Sequence, residues 1–455
     1  MSNAPIILYV LLFLASAFAP FRWSIIAFAL LSNIDLGAES GSIGALNTAK
    51  AMILPVYMLW RFRAYGGHSK ITAAPFAWCV LILYVTIAST WSFYPAFAIK
   101  LIGHLIGSFL ICMMLMRASK GGFLTLRMIV PISIGVLAMA AFHWRFLHDW
   151  GGETERFTTF SGAQAFAAFI AALYCAAISA RTIKPAIRIP LAIALALAVV
   201  LNGSRIWMIG LACSSIVAIF VSHVRPWAKV ITFGAGVCLI ALLVLEFDDI
   251  MTFASKNAKT NRIAAAISAA YEGNLKATGL GTYNLRHELF RRSLEATTNG
   301  TLMEIIFGHG TCNGAAITAT LSRNPDPNRA MHNEWLRAAY EWGLIGLGLW
   351  SIFIGSLAVF AARGAQIDPR GYAQPLLIYL PAFVLGLSGE NIVAGAGNAV
   401  SVGLLLLIAL ASVSHRPFRR MQIVRGSYDV PTQFSGKRDR IGQAAPLFFG
   451  SGNGL

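Results

Sequence analysis

Long runs of apolar residues, separated by short polar breaks, dominate the chain. Most runs are close to the ~20 residues that an α-helix needs to cross a bilayer. Because Pro20 and Arg22 interrupt the first run, it is predicted as one long tilted span or as two short ones. We expect an all-α, polytopic membrane helix bundle with about 12 or 13 transmembrane helices. The predicted spans are residues 5–31, 44–60, 74–90, 97–116, 123–143, 161–180, 187–203, 205–222, 228–246, 333–362, 373–390 and 394–413.

One polar stretch, residues 247–331, interrupts this pattern. It is too polar to face lipid and too long for an ordinary connection, so we expect a large, folded, helical cap on one membrane face. The predicted organisation is an N-terminal transmembrane bundle at 1–246, the cap at 247–331, C-terminal transmembrane helices at 332–413 and a tail at 414–455. The basic tail, with scattered Gly, Ser and Pro, is predicted to be disordered and drawn to anionic lipid.

Composition and charge agree with a membrane protein. Hydrophobic residues make up 57% and charged residues 12% of the chain, and the mean hydropathy is +0.66. The net charge of +17 does not indicate nucleic acid, because the basic residues occupy alternate loops. The positive-inside rule assigns these loops and the tail to the cytoplasm, and the cap to the outside. The basic loops contain Arg61, Arg63, Lys70, Arg117, Lys120, Arg127, Arg181, Lys184, Arg188, Arg225, Lys229, Arg363 and Arg370.

The sequence indicates neither a metal nor a cofactor. The six cysteines form no CxxC pair, and only Cys312 falls in the cap. This spacing supports neither a disulfide framework nor a zinc site. No glycine loop followed by Lys-Ser or Lys-Thr indicates a bound nucleotide.

Arg205 is the first candidate for chemistry on the outer face. It follows a tight turn, Asn202-Gly203-Ser204, and begins the next predicted span. A guanidinium near a helix N-terminus suits an anionic ligand such as phosphate. An interfacial arginine that reaches the headgroups explains the same position equally well.

Arg286 is the second candidate, in a predicted cap helix at 283–296. At about 100° per residue, Leu285, Leu289, Phe290 and Leu294 define an apolar arc, and Arg286 falls in its middle. The opposite arc carries His287, Glu288, Arg291, Arg292 and Glu295, which are explained as solvated charges with a Glu288–Arg292 pair. A charge on a packed face needs a ligand or a structural partner, and both remain open for Arg286.

His332 is the third candidate, where the chain returns from the cap to the bilayer. An imidazole there can take a proton near neutral pH. Glu334, Arg337 and Glu341 follow at helical spacing and form either a polar stripe beside the site or a self-contained stabilising one. Three glycines are expected to allow close helix packing beneath the site: Gly343, Gly346 and Gly348.

Arg156 and Lys100 lie near the outer ends of two further spans. Their positive charges fit the same anionic ligand, so both are candidates for substrate binding. Each is equally explained as an interfacial anchor.

Three segments together resemble the O-antigen ligase and polymerase superfamily of bacterial envelope enzymes. They are NGSRIWMIGL at 202–211, RHELFRRSLEATTNGTLMEIIFGHGTCNG at 286–314 and HNEWLRAAYEWGLIGLGLW at 332–350. RFTTFSGAQAFAAFI at 156–170 is a looser match, because Asn is more usual in the family where this chain has Gln164. The order and sidedness of the segments make the resemblance more specific than any one motif.

The resemblance implies a glycosyltransferase of the bacterial inner membrane, with its active site facing the periplasm. The donor would be a polyprenyl-diphosphate-linked glycan and the acceptor a glycan or glycolipid, with no nucleotide sugar or metal. By the same resemblance Arg205 and Arg286 would hold the diphosphate and His332 would serve the acceptor hydroxyl. Four further substrate-binding candidates rest on their charge and position alone: Arg156, Lys100, Glu334 and Arg337.

Two alternatives remain at this point. A polysaccharide polymerase that joins lipid-linked repeat units would share the same motifs, so the sequence does not separate it from a ligase. A transporter or lipid-glycan flippase would need charges deep in several helices and symmetry between two halves. The ionisable residues gather instead at one face, and the cap occurs once.

Overall fold

The computed structural model describes residues 4–34, 56–57, 60, 73–146, 157–159, 163–221, 281–319, 331, 333–368, 371–388 and 399–415. All regular secondary structure in these ranges is helical, as the sequence predicts. The described residues belong to one compact unit, 1–415, and the tail from Arg416 onward is a second unit outside them. The predicted span 228–246 and nearly all of 44–60 also fall outside.

The helices are numbered in chain order. They are α1 (Ala4–Phe18), α2 (Phe21–Leu31), α3 (Ala73–Ala88), α4 (Pro95–Lys120), α5 (Ile129–Phe146), α6 (Ala163–Ser179), α7 (Pro185–Asn202), α8 (Arg205–Val221), α9 (Gly281–Thr298), α10 (Leu302–Phe307), α11 (Gly314–Ala319), α12 (Glu334–Ile367), α13 (Gln374–Leu387) and α14 (Ala399–Ala411). Short 3-10 helices occur at Ser89–Trp91 and Leu126–Met128.

The first apolar run is two helices rather than one tilted helix. α1 ends at Phe18, and Pro20 is the N-cap residue of α2. Proline lacks the N–H that would continue a helix, and its ring clashes with the preceding turn, so the chain breaks there. This settles the local structure that the sequence left open.

Five described stretches are long and apolar enough to cross a membrane: Ala73–Trp91, Pro95–Lys120, Leu126–Arg145, Pro185–Asn202 and Glu334–Ile367. Six shorter apolar helices match other predicted spans: Ile7–Phe18, Phe21–Leu31, Ala163–Ser179, Ile206–Val221, Gln374–Leu387 and Ser401–Ala411. The described part of the chain is thus all-helical, with the apolar helices of a membrane protein. The total of about 12 or 13 spans stays a prediction.

Helix α6 is the centre of the bundle. Most of its side chains are buried, and it packs against α7, α8, α13 and α14. Eight of its residues are alanines, and small side chains let helix backbones approach closely within a membrane. Phe166 and Phe169 of α6 are also completely buried and fill the space between the neighbouring helices.

Short connections join α3 to α4 and α5, and α6 to α7 and α8, so the helices alternate in direction within each of these two groups. The turns after α4 and α6 carry Lys120, Arg127, Arg181 and Lys184, and therefore lie on one face. The turns after α3 and α7 lie on the opposite face. Residues 308–313 of the cap bond directly to the turn after α3, so we call this second side the cap face. The described turns thus follow the predicted alternation of charge.

Candidate functional site

The turn before Arg205 is tied to the segment after Arg156. Ser204 donates its hydroxyl hydrogen to Oε1 of Gln164, at the start of α6. The side-chain amide of Asn202 donates to the carbonyl of Phe157 over 3.0 Å. Two motifs that lie about 40 residues apart therefore meet at the cap face. Gln164, which departs from the family's usual Asn, supplies the acceptor for Ser204.

Arg205 is the first residue of α8, and Arg286 lies in α9. The side chains of both fall outside the described residues, as do the whole of Arg156 and His332. The roles assigned to these four residues therefore stay predictions.

The Glu288–Arg292 ion pair predicted on α9 is confirmed, and Arg291 forms two further ion pairs on the same helix. Nη2 of Arg291 lies 2.7 Å from Glu288, and Nη1 lies 2.7 Å from Glu295. Nε of Arg292 lies 2.9 Å from Glu288, at the predicted i,i+4 spacing. Hydrogen bonds from Arg291 and then Arg292 lower the pKa of Glu288 to about 2. These arginines are thus satisfied by their own helix.

The predicted apolar arc of α9 is only partly packed, which corrects the sequence interpretation. Leu289 is 3% exposed, but Phe290 is 48% and Leu294 is 44% exposed. The arc therefore has a buried edge and an exposed edge. By spacing, Arg286 lies between the two edges, because it falls about 60° from Leu289 and about 40° from Phe290.

Helix α12 begins directly after His332 with a well-formed N-cap. The side-chain oxygen of Asn333 accepts the backbone N–H of Leu336 over 3.0 Å. Asn333 thereby satisfies one of the backbone donors that a helix start leaves free. The Asn of the His-Asn pair is thus a helix cap that fixes the first turn after His332.

The predicted polar stripe on α12 is buried. Nη2 of Arg337 lies 2.6 Å from Oε2 of Glu334, and the two residues are 6% and 1% exposed. The guanidinium carbon of Arg337 also lies 5.3 Å from the ring centroid of Trp342. A charge this buried needs such a partner. The pair has the arrangement of an internal ion pair, and its predicted contact with substrate stays a prediction.

Glu341, the third member of the stripe, fastens α12 to the cap. Its Oε1 accepts the backbone N–H of Gly314 over 3.1 Å, and the residue is 2% exposed. This bond joins helices α12 and α11. Glu341 was predicted as part of the stripe, but its partner in the cap was not.

A kink at Gly343 divides α12 into a short arm, residues 334–342, and a long spanning helix. Gly343 has φ 64° and ψ −165°, a conformation that is essentially restricted to glycine. The kink frees the carbonyls of Tyr340, Glu341 and Trp342 from the helix. They accept hydrogen bonds from the N–H of His309, the N–H of Gly310 and the hydroxyl of Tyr84 respectively, over 2.9–3.0 Å. No carbonyl freed by this kink is therefore left without a partner.

At the kink, the backbone of Gly308 packs directly against the backbone of Gly343, with no side chain between them. A Cβ at Gly343 would lie 2.4 Å from the carbonyl oxygen of Ile306 and 2.5 Å from the nitrogen of Gly308. A Cβ at Gly308 would lie 2.3 Å from the carbonyl oxygen of Glu341. The expected close packing at Gly343 is thus confirmed, and it is with the cap rather than with another span.

The other two glycines behave differently from each other. A Cβ at Gly346 would meet Trp342 and Tyr84, so this position is tightly packed. Gly348 is exposed, and a Cβ there would meet no described atom of another element within 4 Å. The prediction that it allows close packing is therefore wrong.

The turn after α3 forms hydrogen bonds to residues 308–313, the segment that packs against the kink. Ser92 donates its hydroxyl hydrogen to the carbonyl of Thr311 over 2.6 Å, and the indole of Trp91 donates to the carbonyl of Gly308 over 3.3 Å. The N–H of Phe93 donates to Oδ1 of Asn313 over 2.9 Å. Sequence reasoning missed this turn. The pattern Gly-His-Gly-Thr at 308–311 was a signal of close approach, but it did not name the partner.

Electrostatics at this crossing favour a neutral thiol and an ionised carboxylate. Burial raises the pKa of Cys312 to about 12. The backbone N–H of Thr301 donates to Glu304 over 2.7 Å and lowers the pKa of that carboxyl. Nδ1 of His309 lies 3.6 Å from Oε1 of Glu304. The imidazole ring of His309 also stacks on the ring of Tyr340, with the two centroids 4.3 Å apart.

Lys100 is exposed near the cap-face end of α4. No described contact joins it to the arm of α12 or to the turn at Ser204. Its predicted part in substrate binding stays a prediction.

Comparison with known proteins bears on the same segments. No curated protein sequence matches the chain. Residues 190–351 match the family model described as O-antigen ligase. The matched stretch contains the Ser204-Arg205 turn, α9 to α11 and the arm and kink of α12. Residues 190–351 are therefore similar to the O-antigen ligase family, which supports the resemblance found in the sequence.

Proposed function

We propose that this membrane enzyme transfers a polyprenyl-diphosphate-linked glycan to an acceptor sugar, of the lipid A core type, at the periplasmic face of the bacterial inner membrane. The observation that supports this is the family match over residues 190–351, which contains Arg205, Arg286 and His332. Each of the three is at or next to a well-defined helix feature: the start of α8, the middle of the apolar arc of α9 and the N-cap of α12.

In the proposed reaction the acceptor hydroxyl oxygen attacks the anomeric carbon of the donor sugar. The bond from that carbon to the diphosphate oxygen breaks, and the polyprenyl diphosphate leaves with the electron pair. Arg205 and Arg286 neutralise the charge that develops on this leaving group, which lowers the barrier. His332 takes the hydroxyl proton or orients the hydroxyl for attack with inversion.

Glu334, Arg337 and Glu341 contribute by holding the arm. His332 directly precedes Asn333, the N-cap residue of the arm, in sequence, and the other end of the arm is fixed at the kink. The Glu334–Arg337 pair and the Glu341–Gly314 bond are buried. A rigid support of this kind keeps a reacting group within the narrow range that transfer needs. Lys100 and Arg156 remain candidates for contacts with the donor.

The test is transfer by the full-length protein in liposomes that contain a polyprenyl-diphosphate glycan and an acceptor. Arg205→Ala, Arg286→Ala and His332→Ala are each expected to lower kcat/KM by about 10²-fold or more. Arg291→Ala is the matched control, because Arg291 lies on the same helix as Arg286 but pairs with Glu288 and Glu295. Its rate should stay close to that of the wild type. Normal transfer by all three folded variants would refute the site.

A polymerase acting on lipid-linked repeat units is the second candidate, because the matched family includes both activities. The two differ in their products. With a lipid A core acceptor a ligase gives one added glycan for each acceptor molecule. With donor alone a polymerase gives a ladder of products that differ by one repeat unit.

A further inference from the structure

The kink at Gly343 marks the edge of the hydrocarbon core on the cap face. From Leu344 to the exposed Arg363, α12 runs about 19 residues, or about 29 Å at 1.5 Å per residue. This equals the thickness of the hydrocarbon core of a typical bilayer, ~30 Å. Arg363 is a basic residue of the kind that ends a span at the opposite interface.

The turn after α3 is an independent marker of the same depth. It carries Trp91, Phe93 and Tyr94 directly after a membrane-spanning stretch. Tryptophan and tyrosine concentrate at the membrane–water interface. Because this turn bonds to residues 308–313, the end of α10 lies at interfacial depth.

Helices α9 and α10, which we call the cap hairpin, expose large apolar side chains. Leu302 is 72% and Met303 is 65% exposed on α10. Phe290 and Leu294 are 48% and 44% exposed one turn apart on α9. Single exposed apolar residues are ordinary, but several on two successive helices indicate a surface that another molecule covers.

The faces of α9 have the arrangement of a helix that lies at an interface. At about 100° per residue, the exposed Phe290 and Leu294 fall between a buried face and a charged face. The buried face carries Leu289 and Ser293. The charged face carries the ion pairs of Arg291 with Glu288 and Glu295. One side thus meets protein, one is apolar and open, and one is suited to water.

The open apolar surface continues the lipid-facing side of α12. Below the kink Leu344, Ile345 and Ile352 are 59%, 37% and 60% exposed, as expected for residues that face acyl chains. Phe307 is 38% exposed and directly precedes Gly308, whose nitrogen would lie 2.5 Å from a Cβ at Gly343. The surface of the hairpin therefore begins where the lipid-facing row of α12 ends.

We propose that the cap hairpin binds phospholipid, with Leu294, Leu302 and Met303 inserted among the acyl chains of the cap-face leaflet. The ion-paired face of α9 then points to water. Continuity with α12 and the interfacial depth favour lipid over a second copy of the chain. None of the three inserted side chains is a residue assigned to transfer, so the proposal does not depend on the glycan or the acceptor.

Photo-crosslinking of the full-length protein in phospholipid nanodiscs tests the proposal. A benzophenone amino acid replaces Leu294 or Met303, and mass spectrometry measures the fraction of protein that gains a lipid. Replacement of Leu344 is the lipid-facing control, and replacement of Glu295 is the water-facing control on the same helix as Leu294. We expect lipid adducts at Leu294 and Met303 at the level of Leu344 and about tenfold above Glu295.

Two outcomes would overturn the proposal. Adducts at Leu294 and Met303 that do not exceed those at Glu295 would mean that the hairpin lies in water. Crosslinks to a second protein chain would mean that this surface joins two copies. If a replacement prevents a monodisperse preparation, Leu302 is replaced instead, because it is the most exposed of these side chains at 72%. Lipid adducts at Leu302 would support the proposal, and their absence or crosslinks to a second chain would overturn it.

Discussion

Replacing Gly343 by alanine should destabilise the protein far more than the same change five residues later. Gly343 has φ 64° and ψ −165°, and its Cα approaches the backbone of the cap. Gly348 lies on the same helix and has open space around it. Comparing Gly343→Ala with Gly348→Ala therefore distinguishes the effect of backbone packing at the kink from the general effect of replacing a glycine in a membrane helix.

Two terms set the size of the effect. A non-glycine residue in this backbone region costs about 1–3 kcal/mol. The new Cβ would lie 2.4 Å from the carbonyl oxygen of Ile306 and 2.5 Å from the nitrogen of Gly308, which are backbone atoms that cannot rotate away. Relieving this overpacking costs about 1–3 kcal/mol more. Gly343→Ala should therefore lower the free energy of unfolding by about 2–6 kcal/mol, whereas Gly348→Ala should raise it by up to about 1 kcal/mol through helix propensity.

Unfolding of the purified protein in detergent, followed by tryptophan fluorescence, measures this difference. Far-UV circular dichroism checks that both variants start with the helix content of the wild type. Gly343→Ala should also lose transfer activity, because the arm that carries His332 is fixed at the kink. If both variants unfold at the wild-type midpoint, the crossing of Gly308 and Gly343 does not stabilise the protein and the reasoning fails.

Three further predictions concern single side chains. Asn333→Ala should lower the free energy of unfolding by about 1 kcal/mol, because it removes the N-cap of α12. Asn333→Asp should keep the N-cap and the wild-type stability, so equal melting temperatures for the two variants would contradict this prediction. Burial raises the pKa of the Cys312 thiol to about 12, so this thiol should react slowly with a maleimide at pH 8. We expect its rate to be about 10³-fold below that of a cysteine placed at the exposed Thr298. Similar rates at the two positions would show that the Cys312 thiol is not buried and protonated. Because the folded-state pKa of Glu288 is lowered to about 2, its ion pairs contribute stability above the ordinary value of 4.5 and lose it only as the pH falls towards 2. The pairs are exposed, so Glu288→Gln should melt with the wild type at pH 7, and a large loss of stability would show that they are not screened by solvent.

Local sequence pattern was sufficient for the helices and for interactions within one helix. Apolar runs predicted most of the described helices, because the bilayer sets the length and composition of a span. The Glu288–Arg292 pair and the polar stripe of α12 followed from a period of about 3.6 residues per turn, which places positions three and four apart on one face. Pro20 predicted the break between α1 and α2 as one of two alternatives, since a proline kink and a proline break look alike in sequence.

Interactions between distant segments could not be predicted. Tyr84 bonds to the carbonyls of Phe307 and Trp342, which are 223 and 258 residues away along the chain. No local periodicity carries that information. The apolar arc of α9 was also misinterpreted in part, because an apolar side chain that faces lipid and one that faces protein have the same pattern in sequence. Only the surroundings of Phe290 and Leu294 separate the two cases.

The hydroxyl of Tyr84 has a consequence for assembly during membrane insertion. Helix α3 enters the membrane long before Phe307 and Trp342 have been synthesised. The Tyr84 hydroxyl therefore cannot form these hydrogen bonds until residues more than 200 positions later in the chain have been made. The closure of so long a loop is slow relative to the formation of a helical hairpin. The arm of α12 is thus among the last parts of the protein to acquire its final geometry. A chain that ends before Phe307 would insert its early helices and yet lack both acceptors of this tyrosine.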